Sequence, residues 1–129
     1  MTTPVFLINL DRSFNRLGQM AVRFSELGVA FERVEAIDGE TLGTDAISAV
    51  RLHVRGLLPL SASEVGCFLS HRKCWELIAN GQQTHGCIFE DDILFSNRLS
   101  RFLSNSHWIP KDADVVKLGS GPIKFLRGC

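Results

Sequence analysis

The chain has 129 residues, a length that fits one domain. Hydrophobic residues make up 45% and charged residues 22% of it, a composition that excludes a disordered chain. Fourteen Lys and Arg balance fourteen Asp and Glu, so no global charge favours nucleic acid or an anionic membrane. No apolar run approaches the roughly 18 residues of a membrane span, and the N-terminus does not resemble a signal peptide. We therefore expect a cytoplasmic protein without a nucleic-acid partner.

The first half of the chain alternates between strand and helix patterns. Residues 4–10 form a short apolar run that predicts a buried strand. Apolar residues then recur at helical spacing and predict a helix over 13–28, ended by a glycine. Residues 31–36 alternate between polar and apolar side chains, which predicts a second strand. A weaker pattern predicts a short helix over 44–53.

The second half begins with the strongest helix signal in the chain. A Ser-x-x-Glu capping box precedes the helix predicted over 62–79. Residues 86–90 predict a third strand, a short helix follows near 97–104, and residues 114–118 predict a fourth strand. Strands that alternate with helices indicate an α/β fold with a mostly parallel sheet.

Polar residues follow each of the first three predicted strands. Ligands of open α/β sheets bind beyond the carboxyl ends of the strands, so these residues should share one edge. The three segments are 9–12, 38–39 and 90–92. The chain has no glycine-rich phosphate loop, which argues against a dehydrogenase or a P-loop ATPase.

The acidic segment Glu90, Asp91 and Asp92 directly follows the third strand. Three adjacent carboxylates repel one another unless a cation is present, and their oxygens suit Mg²⁺ or Mn²⁺. Strand alternation would point Glu90 and Asp92 to one side and Asp91 to the other. The alternative is that Asp91 and Asp92 cap the next helix while Glu90 is solvated, and spacing by itself favours this alternative.

Two further segments have both a functional and a structural interpretation. Asn9, Asp11 and Arg12 offer hydrogen bonds to a base, ribose or phosphate, but the commoner alternative is a helix entry with Asp11 or Ser13 as the N-cap and Arg12 solvated. His71 lies on an apolar helix face, where a satisfied core histidine is the commoner case. Its neighbour Ser70 points about 100° away, which excludes a serine-hydrolase pair.

Five segments together resemble glycosyltransferase family 25, the bacterial lipopolysaccharide sugar transferases. The resemblance runs in order from Val5 to Gly119, through VFLINLDRS, FERVEAIDGE, LSASEVGCFLSHRKCWELI, CIFEDDILFS and DADVVKLG. It implies a Rossmann-type fold of the glycosyltransferase A kind, with residues 1–129 as a single donor-nucleotide-binding domain. Members of the family typically transfer galactose from UDP-galactose, with inversion, to a saccharide of lipopolysaccharide or lipooligosaccharide.

The resemblance also implies roles for individual residues. The divalent cation on the donor diphosphate, Mn²⁺ or Mg²⁺, would be held by Glu90, Asp91 and Asp92. The residues expected to bind the nucleotide sugar are Asn9, Leu10, Asp11, Arg12, Ala36, Asp38, Gly39, Ser70 and His71. An inverting transfer needs a general base, and the resemblance identifies none here.

The family's catalytic region continues beyond the strand that matches DADVVKLG, so we expect an incomplete sheet. The alternative to an active enzyme is therefore a truncated, inactive nucleotide-sugar-binding remnant. An open sheet edge would favour a homo-oligomer, and an acceptor on lipopolysaccharide would favour peripheral contact with the inner membrane. A signalling receiver domain also has an acidic pair after a strand, but the 37 residues after Asp92 are too few for its remaining units.

Overall fold

The computed structural model of the chain describes residues 2–53 and 59–119, without the side chains of residues 52 and 53. Within these ranges strands and helices alternate, as the sequence predicts, and a short 3₁₀ turn (Gly39–Thr41) follows the second strand. The elements are β1 (Val5–Asn9), α1 (Phe14–Glu26), β2 (Glu32–Glu35), α2 (Thr44–His53), α3 (Ala62–Ala79), β3 (Cys87–Glu90) and α4 (Leu99–Leu103).

The three described strands form one parallel sheet in the order β2-β1-β3. The central strand β1 is buried along its whole length, as expected for an apolar run covered on both faces. Its register aligns Ile8 with Val34 on one side and with Glu90 on the other. The carboxyl ends of all three strands therefore lie at the same edge. The predicted α/β class is confirmed, and the arrangement is consistent with part of a Rossmann-like glycosyltransferase fold.

Alternate residues of β1 face two separate parts of the core. Leu7 packs in a cluster with Phe24 of α1 and Phe89 of β3, which also includes residues of α4. Phe6 and Ile8 point the other way and pack against Cys74 of α3. The sheet thus lies between α1 and α4 on one face and α3 on the other, because a period of two sends neighbouring side chains to opposite faces.

The predicted helix boundaries depend on capping groups that the structure contains. Ser61 Oγ accepts from the backbone N–H of Glu64, and Glu64 Oε2 accepts from the N–H of Ser61, which confirms the capping box of α3. The helix α1 is followed by Gly28 with φ of 65°, a conformation that favours glycine.

The prediction of a fourth strand over residues 114–118 is wrong. These residues form no strand, and all five are exposed, with Val115 87% exposed. A short β-branched run becomes a strand only where it pairs with another strand and buries one face, and in the structure this segment does neither. The helix near 97–104 is confirmed, although it spans only Leu99–Leu103.

The unpaired edges of the outer strands bear on the predicted homo-oligomer. Within residues 2–53 and 59–119, β2 and β3 each pair with β1 alone, so each leaves one edge unpaired there. Such an edge is compatible with the predicted homo-oligomer.

None of the described helices is both long and apolar enough to cross a bilayer. The cytoplasmic location and the peripheral membrane contact stay predictions.

Candidate functional site

A cleft of about 120 Å³ lies where the three strands end. All the residues predicted to bind the donor or the metal line it except Asn9 and Asp11. The cleft therefore brings together segments that follow β1, β2 and β3, as the rule for open α/β sheets predicts. The structure adds five lining residues that sequence reasoning missed: Ile8, Arg16, Ile37, Ser63 and Cys67.

Asn9 does not line the cleft, but its buried side chain forms hydrogen bonds with residues beside it. The residue is 1% exposed. Its Nδ2 donates to the backbone oxygen of Ser13 at 3.0 Å and to Asp91 Oδ2 at 2.7 Å. These bonds join the end of β1 to the start of α1 and to the acidic segment after β3. Asn9 is therefore placed to position Asp91 rather than to contact a ligand.

Arg33 of β2 is the partner of Asn9 that sequence reasoning missed. Its Nε donates to Asn9 Oδ1 at 3.0 Å, and its Nη2 donates to the Asn9 backbone oxygen at 3.1 Å and to Asp11 Oδ1 at 2.7 Å. The Arg33 guanidinium lowers the pKa of Asp11, whose side chain points outward and is 71% exposed. No local pattern marks this arginine, because its partners lie 22 and 24 residues away along the chain.

Asp38 connects the loop after β2 to the start of α1. Its carboxylate forms an ion pair with Arg12, and this hydrogen bond lowers the pKa of Asp38. Its other oxygen accepts from the backbone N–H of Glu40 at 3.2 Å and caps the 3₁₀ turn. Arg12 is therefore held in an ion pair with the cleft residue Asp38, although 63% of its side chain stays exposed. Ser13 occupies the N-cap of α1 but makes no side-chain capping bond.

Two glycines allow the loop after β2 to approach α3 closely. A Cβ on Gly66 would lie 2.5 Å from the backbone nitrogen of Gly39, and a Cβ on Gly39 would lie 1.7 Å from the backbone oxygen of Ala62. Both distances are far below van der Waals contact and both involve backbone atoms. Glycine is therefore required at both positions for the loop to pack this closely against α3.

Ser70 holds the same loop through its hydroxyl group. Ser70 Oγ donates to the Gly66 backbone oxygen at 2.7 Å and accepts from the Ile37 backbone N–H at 2.8 Å. The side chain is 2% exposed. Both bonds of this hydroxyl are internal, so Ser70 shapes the cleft wall. This agrees with the exclusion of a serine-hydrolase pair.

His71 faces the cleft rather than the apolar core that its helix face predicted. Its Nε2 lies 3.0 Å from Glu90 Oε1, and about 30% of each side chain is exposed. Cys67 Sγ lies 3.6 Å from the same oxygen, and ligand atoms of all three residues fall within 4.8 Å of one another. Cys67 and Glu90 each have a further interaction, so this trio is not a free set of metal ligands.

The acidic segment does not alternate as a continued strand would. The strand β3 ends at Glu90 and a turn begins at Asp91, so Glu90, Asp91 and Asp92 all line the cleft. The capping alternative is also wrong, because the next described helix begins at Leu99 with Arg98 as its N-cap. Helix capping therefore does not account for this run of acids.

Asp91 and Asp92 differ in their surroundings. The Asp91 side chain is 12% exposed, held at Oδ2 by Asn9 and approached at Oδ1 by Arg16 Nη1 at 3.5 Å. The pKa of Asp92 is raised, chiefly by partial burial and then by the negative charges of Glu90 and Asp91. A cation bound beside Asp92 would relieve this repulsion.

The donor atoms of the acidic segment fit a hard divalent cation, because they are all carboxylate oxygens. Among the described residues, Glu90, Asp91 and Asp92 do not form a group whose carboxylate oxygens all lie within 4.8 Å of one another, so they do not converge on one point. Mg²⁺ typically takes one or two carboxylates and completes its shell with substrate phosphates and water. The segment therefore suits a metal that arrives with a phosphorylated ligand.

Comparisons with known proteins relate this chain to several eukaryotic sequences. It is 33% identical over 129 residues to procollagen galactosyltransferase 1-A of Xenopus laevis, a match that covers 89% of this chain and 21% of that protein. It is 35% identical over 101 residues to a glycosyltransferase 25 family member of Drosophila melanogaster, covering 70% of this chain and 16% of that protein.

A third relative differs from these in its name. The chain is 32% identical over 124 residues to inactive glycosyltransferase 25 family member 3 of Mus musculus, covering 88% of this chain and 20% of that protein. The chain spans about a fifth of the length of these curated relatives. The sequence model of glycosyltransferase family 25 (LPS biosynthesis protein) matches residues 2–122, and the chain belongs to this family.

Proposed function

We propose that this cleft binds the diphosphate of a UDP-hexose, with galactose as the hexose, and that the complete protein transfers the sugar to an acceptor. The observation that carries the proposal is the convergence of polar segments from three neighbouring strand ends on one cleft. Family membership supports a nucleotide-sugar donor, and relatives named as galactosyltransferases support the choice of galactose.

The size of the cleft limits how much of the donor it holds. Its volume is about 120 Å³, whereas sites for drug-sized ligands enclose roughly 300–1,000 Å³. The described residues therefore enclose one part of a nucleotide sugar. The four cleft carboxylates and two guanidiniums favour the diphosphate as that part, because a metal and arginines neutralise phosphate charge.

Asp92 is the proposed principal ligand of a divalent cation, Mn²⁺ or Mg²⁺, with Asp91 as the second ligand. Asp92 lines the cleft with a pKa raised by partial burial and then by its acidic neighbours, and Asp91 is held in place by the Asn9 amide. When bound, the cation would act as a Lewis acid that stabilises charge on the departing diphosphate. Glu90 is already paired with His71 and would support the segment from the inner side.

The arginines supply the remaining positive charge of the cleft. Negative charge grows on the UDP leaving group as the bond to the sugar breaks, and a guanidinium presents two parallel N–H groups to phosphate oxygens. Arg12 and Arg16 both line the cleft and keep more than half of their side chains exposed. We assign no general base to the described residues.

The acceptor and the state of activity have two candidates each. The family description names lipopolysaccharide biosynthesis, which supports the predicted lipopolysaccharide acceptor, whereas several relatives are named for procollagen. The relative named as inactive makes a nucleotide-binding protein without transfer the second candidate function. Radiolabelled transfer from UDP-galactose by the complete protein to each acceptor separates these cases, and no transfer to either would favour the second function.

Donor binding is testable by calorimetry on this chain. We expect UDP to bind in the presence of Mn²⁺ and to bind about tenfold or more weakly when Asp92 is replaced by Asn, since a charged ligand contact is lost. The matched control is Asp45→Asn, which removes an exposed carboxylate of α2. No heat from wild-type protein at millimolar UDP and Mn²⁺, or equal affinities for wild type and Asp92→Asn, would refute the proposal.

A further inference from the structure

We propose that the Arg16 guanidinium supplies the positive charge beside Asp91 before the donor binds. When the cation binds Asp91, Arg16 leaves this carboxylate and contacts the donor diphosphate instead. This inference rests on the proposed function. It assigns a specific part in donor binding to a residue of α1 that neither the sequence patterns nor the resemblance identified.

The contact between Arg16 and Asp91 is long, and the arginine side chain is largely exposed. Arg16 Nη1 lies 3.5 Å from Asp91 Oδ1, at the outer limit of a hydrogen bond. The Arg16 side chain is 57% exposed, whereas the Asp91 side chain is only 12% exposed. An exposed guanidinium on a long side chain can therefore leave a carboxylate that itself stays in place.

The other arginines near this edge are more firmly engaged. Arg12 forms a close ion pair with Asp38, and Arg33 makes three hydrogen bonds to Asn9 and Asp11. Among the residues that the structure describes, the polar contact of the Arg16 side chain is the long one to Asp91, and Arg16 also lines the cleft. Of these three arginines, Arg16 is the one that can move to a ligand without breaking a short hydrogen bond.

The two oxygens of Asp91 explain how the exchange would work. Oδ2 remains bonded to Asn9 Nδ2 at 2.7 Å, so the carboxylate keeps its orientation when Arg16 leaves. Oδ1 then becomes available to a cation. A divalent ion and a guanidinium repel each other when both approach one carboxylate oxygen, so arrival of the ion favours departure of Arg16. The diphosphate supplies the negative charge that the guanidinium loses.

The experiment measures two affinities that should change in opposite directions. Calorimetry would record binding of Mn²⁺ alone, and of UDP in the presence of saturating Mn²⁺, to wild type, Arg16→Gln and Arg16→Lys. We expect Arg16→Gln to bind Mn²⁺ about threefold more tightly, because a competing charge is gone. We expect it to bind UDP with Mn²⁺ about tenfold or more weakly, because a charge-assisted hydrogen bond is lost.

Two further variants separate this role from a general effect of charge. Arg16→Lys keeps the charge but not the two-pronged geometry, so its Mn²⁺ affinity should match wild type while its UDP affinity falls to an intermediate value. Arg101→Gln removes an exposed charge of α4 outside the cleft and should leave both affinities unchanged.

The outcomes distinguish this inference from the proposed function. Wild-type binding of UDP with Mn²⁺ that is unchanged in Arg16→Gln, or a loss of both affinities in that variant, would overturn the role of Arg16 alone. A wild-type protein that shows no metal-dependent UDP binding would overturn the proposed function and the inference together.

Discussion

Replacement of Asn9 by Ala tests how the cleft is held together. The substitution removes three side-chain hydrogen bonds: to the Ser13 backbone oxygen, to Asp91 Oδ2 and from Arg33 Nε. Two of these bonds involve a charged partner. The residue is 1% exposed, so water cannot replace the lost amide without entering the structure.

The expected loss in the free energy of unfolding follows from these bonds. A neutral hydrogen bond contributes about 1 kcal/mol net, and a bond to a charged group contributes about 1.5–3 kcal/mol. The sum is an upper limit, because the side chains of Arg33 and Asp91 are 31% and 12% exposed and are partly rehydrated after the change. We therefore expect a loss of about 2–4 kcal/mol, out of roughly 5–15 kcal/mol for a typical domain.

Urea denaturation followed by circular dichroism measures this loss by linear extrapolation. The matched control is Asn15→Ala on α1, where the residue is exposed and a change within about 0.5 kcal/mol is expected. A double-mutant cycle with Arg33→Ala should give a coupling of about 1 kcal/mol or more, because Asn9 and Arg33 are in direct contact. An Asn9→Ala variant within about 1 kcal/mol of wild type would refute this account of the buried amide.

Two further predictions concern the loop after β2. Gly66→Ala should lower the free energy of unfolding by about 1–3 kcal/mol in urea denaturation, because the added Cβ would lie 2.5 Å from the Gly39 backbone nitrogen. The control Gly18→Ala has open space around it and should stabilise α1 by about 0.5–1 kcal/mol. A Gly66→Ala variant as stable as wild type would contradict the close approach of the loop to α3. Because Arg12 lowers the pKa of Asp38, the stabilisation from this pair should be present at neutral pH and be lost as the pH falls through the lowered pKa. NMR titration of the Asp38 carboxyl carbon should show that the pKa of Asp38 rises in Arg12→Gln. An unchanged titration in that variant would contradict the pairing.

Several elements could be predicted because their signals are local. The capping box at Ser61 and the apolar run of β1 describe short stretches of chain whose periodicity and hydrogen bonding do not depend on distant residues. The shared edge of the three strand ends also followed from the alternation of strands and helices. The position of most candidate residues at one cleft was predictable for this reason.

The errors arose where distant contacts override local preference. Residues 114–118 have strand propensity but neither pairing nor burial in the structure. His71 lies on a helix face that is apolar in sequence, yet Glu90 from β3 draws it to the cleft. Alternation failed at Asp91 because the strand ends one residue before it.

The α/β class, the family and the segments that form the edge of the sheet could be predicted from the amino-acid sequence, since they depend on hydrophobic period, capping and the order of motifs. The hydrogen bonds by which the Asn9 amide joins Arg33 to Asp91, across separations of 24 and 82 residues, depend on the packing of the whole fold. The packing also places Arg16, four residues after Arg12 on the chain, in the same cleft and beside Asp91. The physical reason is that the partner of a polar side chain is set by which strand ends pack together, and no short stretch of chain contains that information.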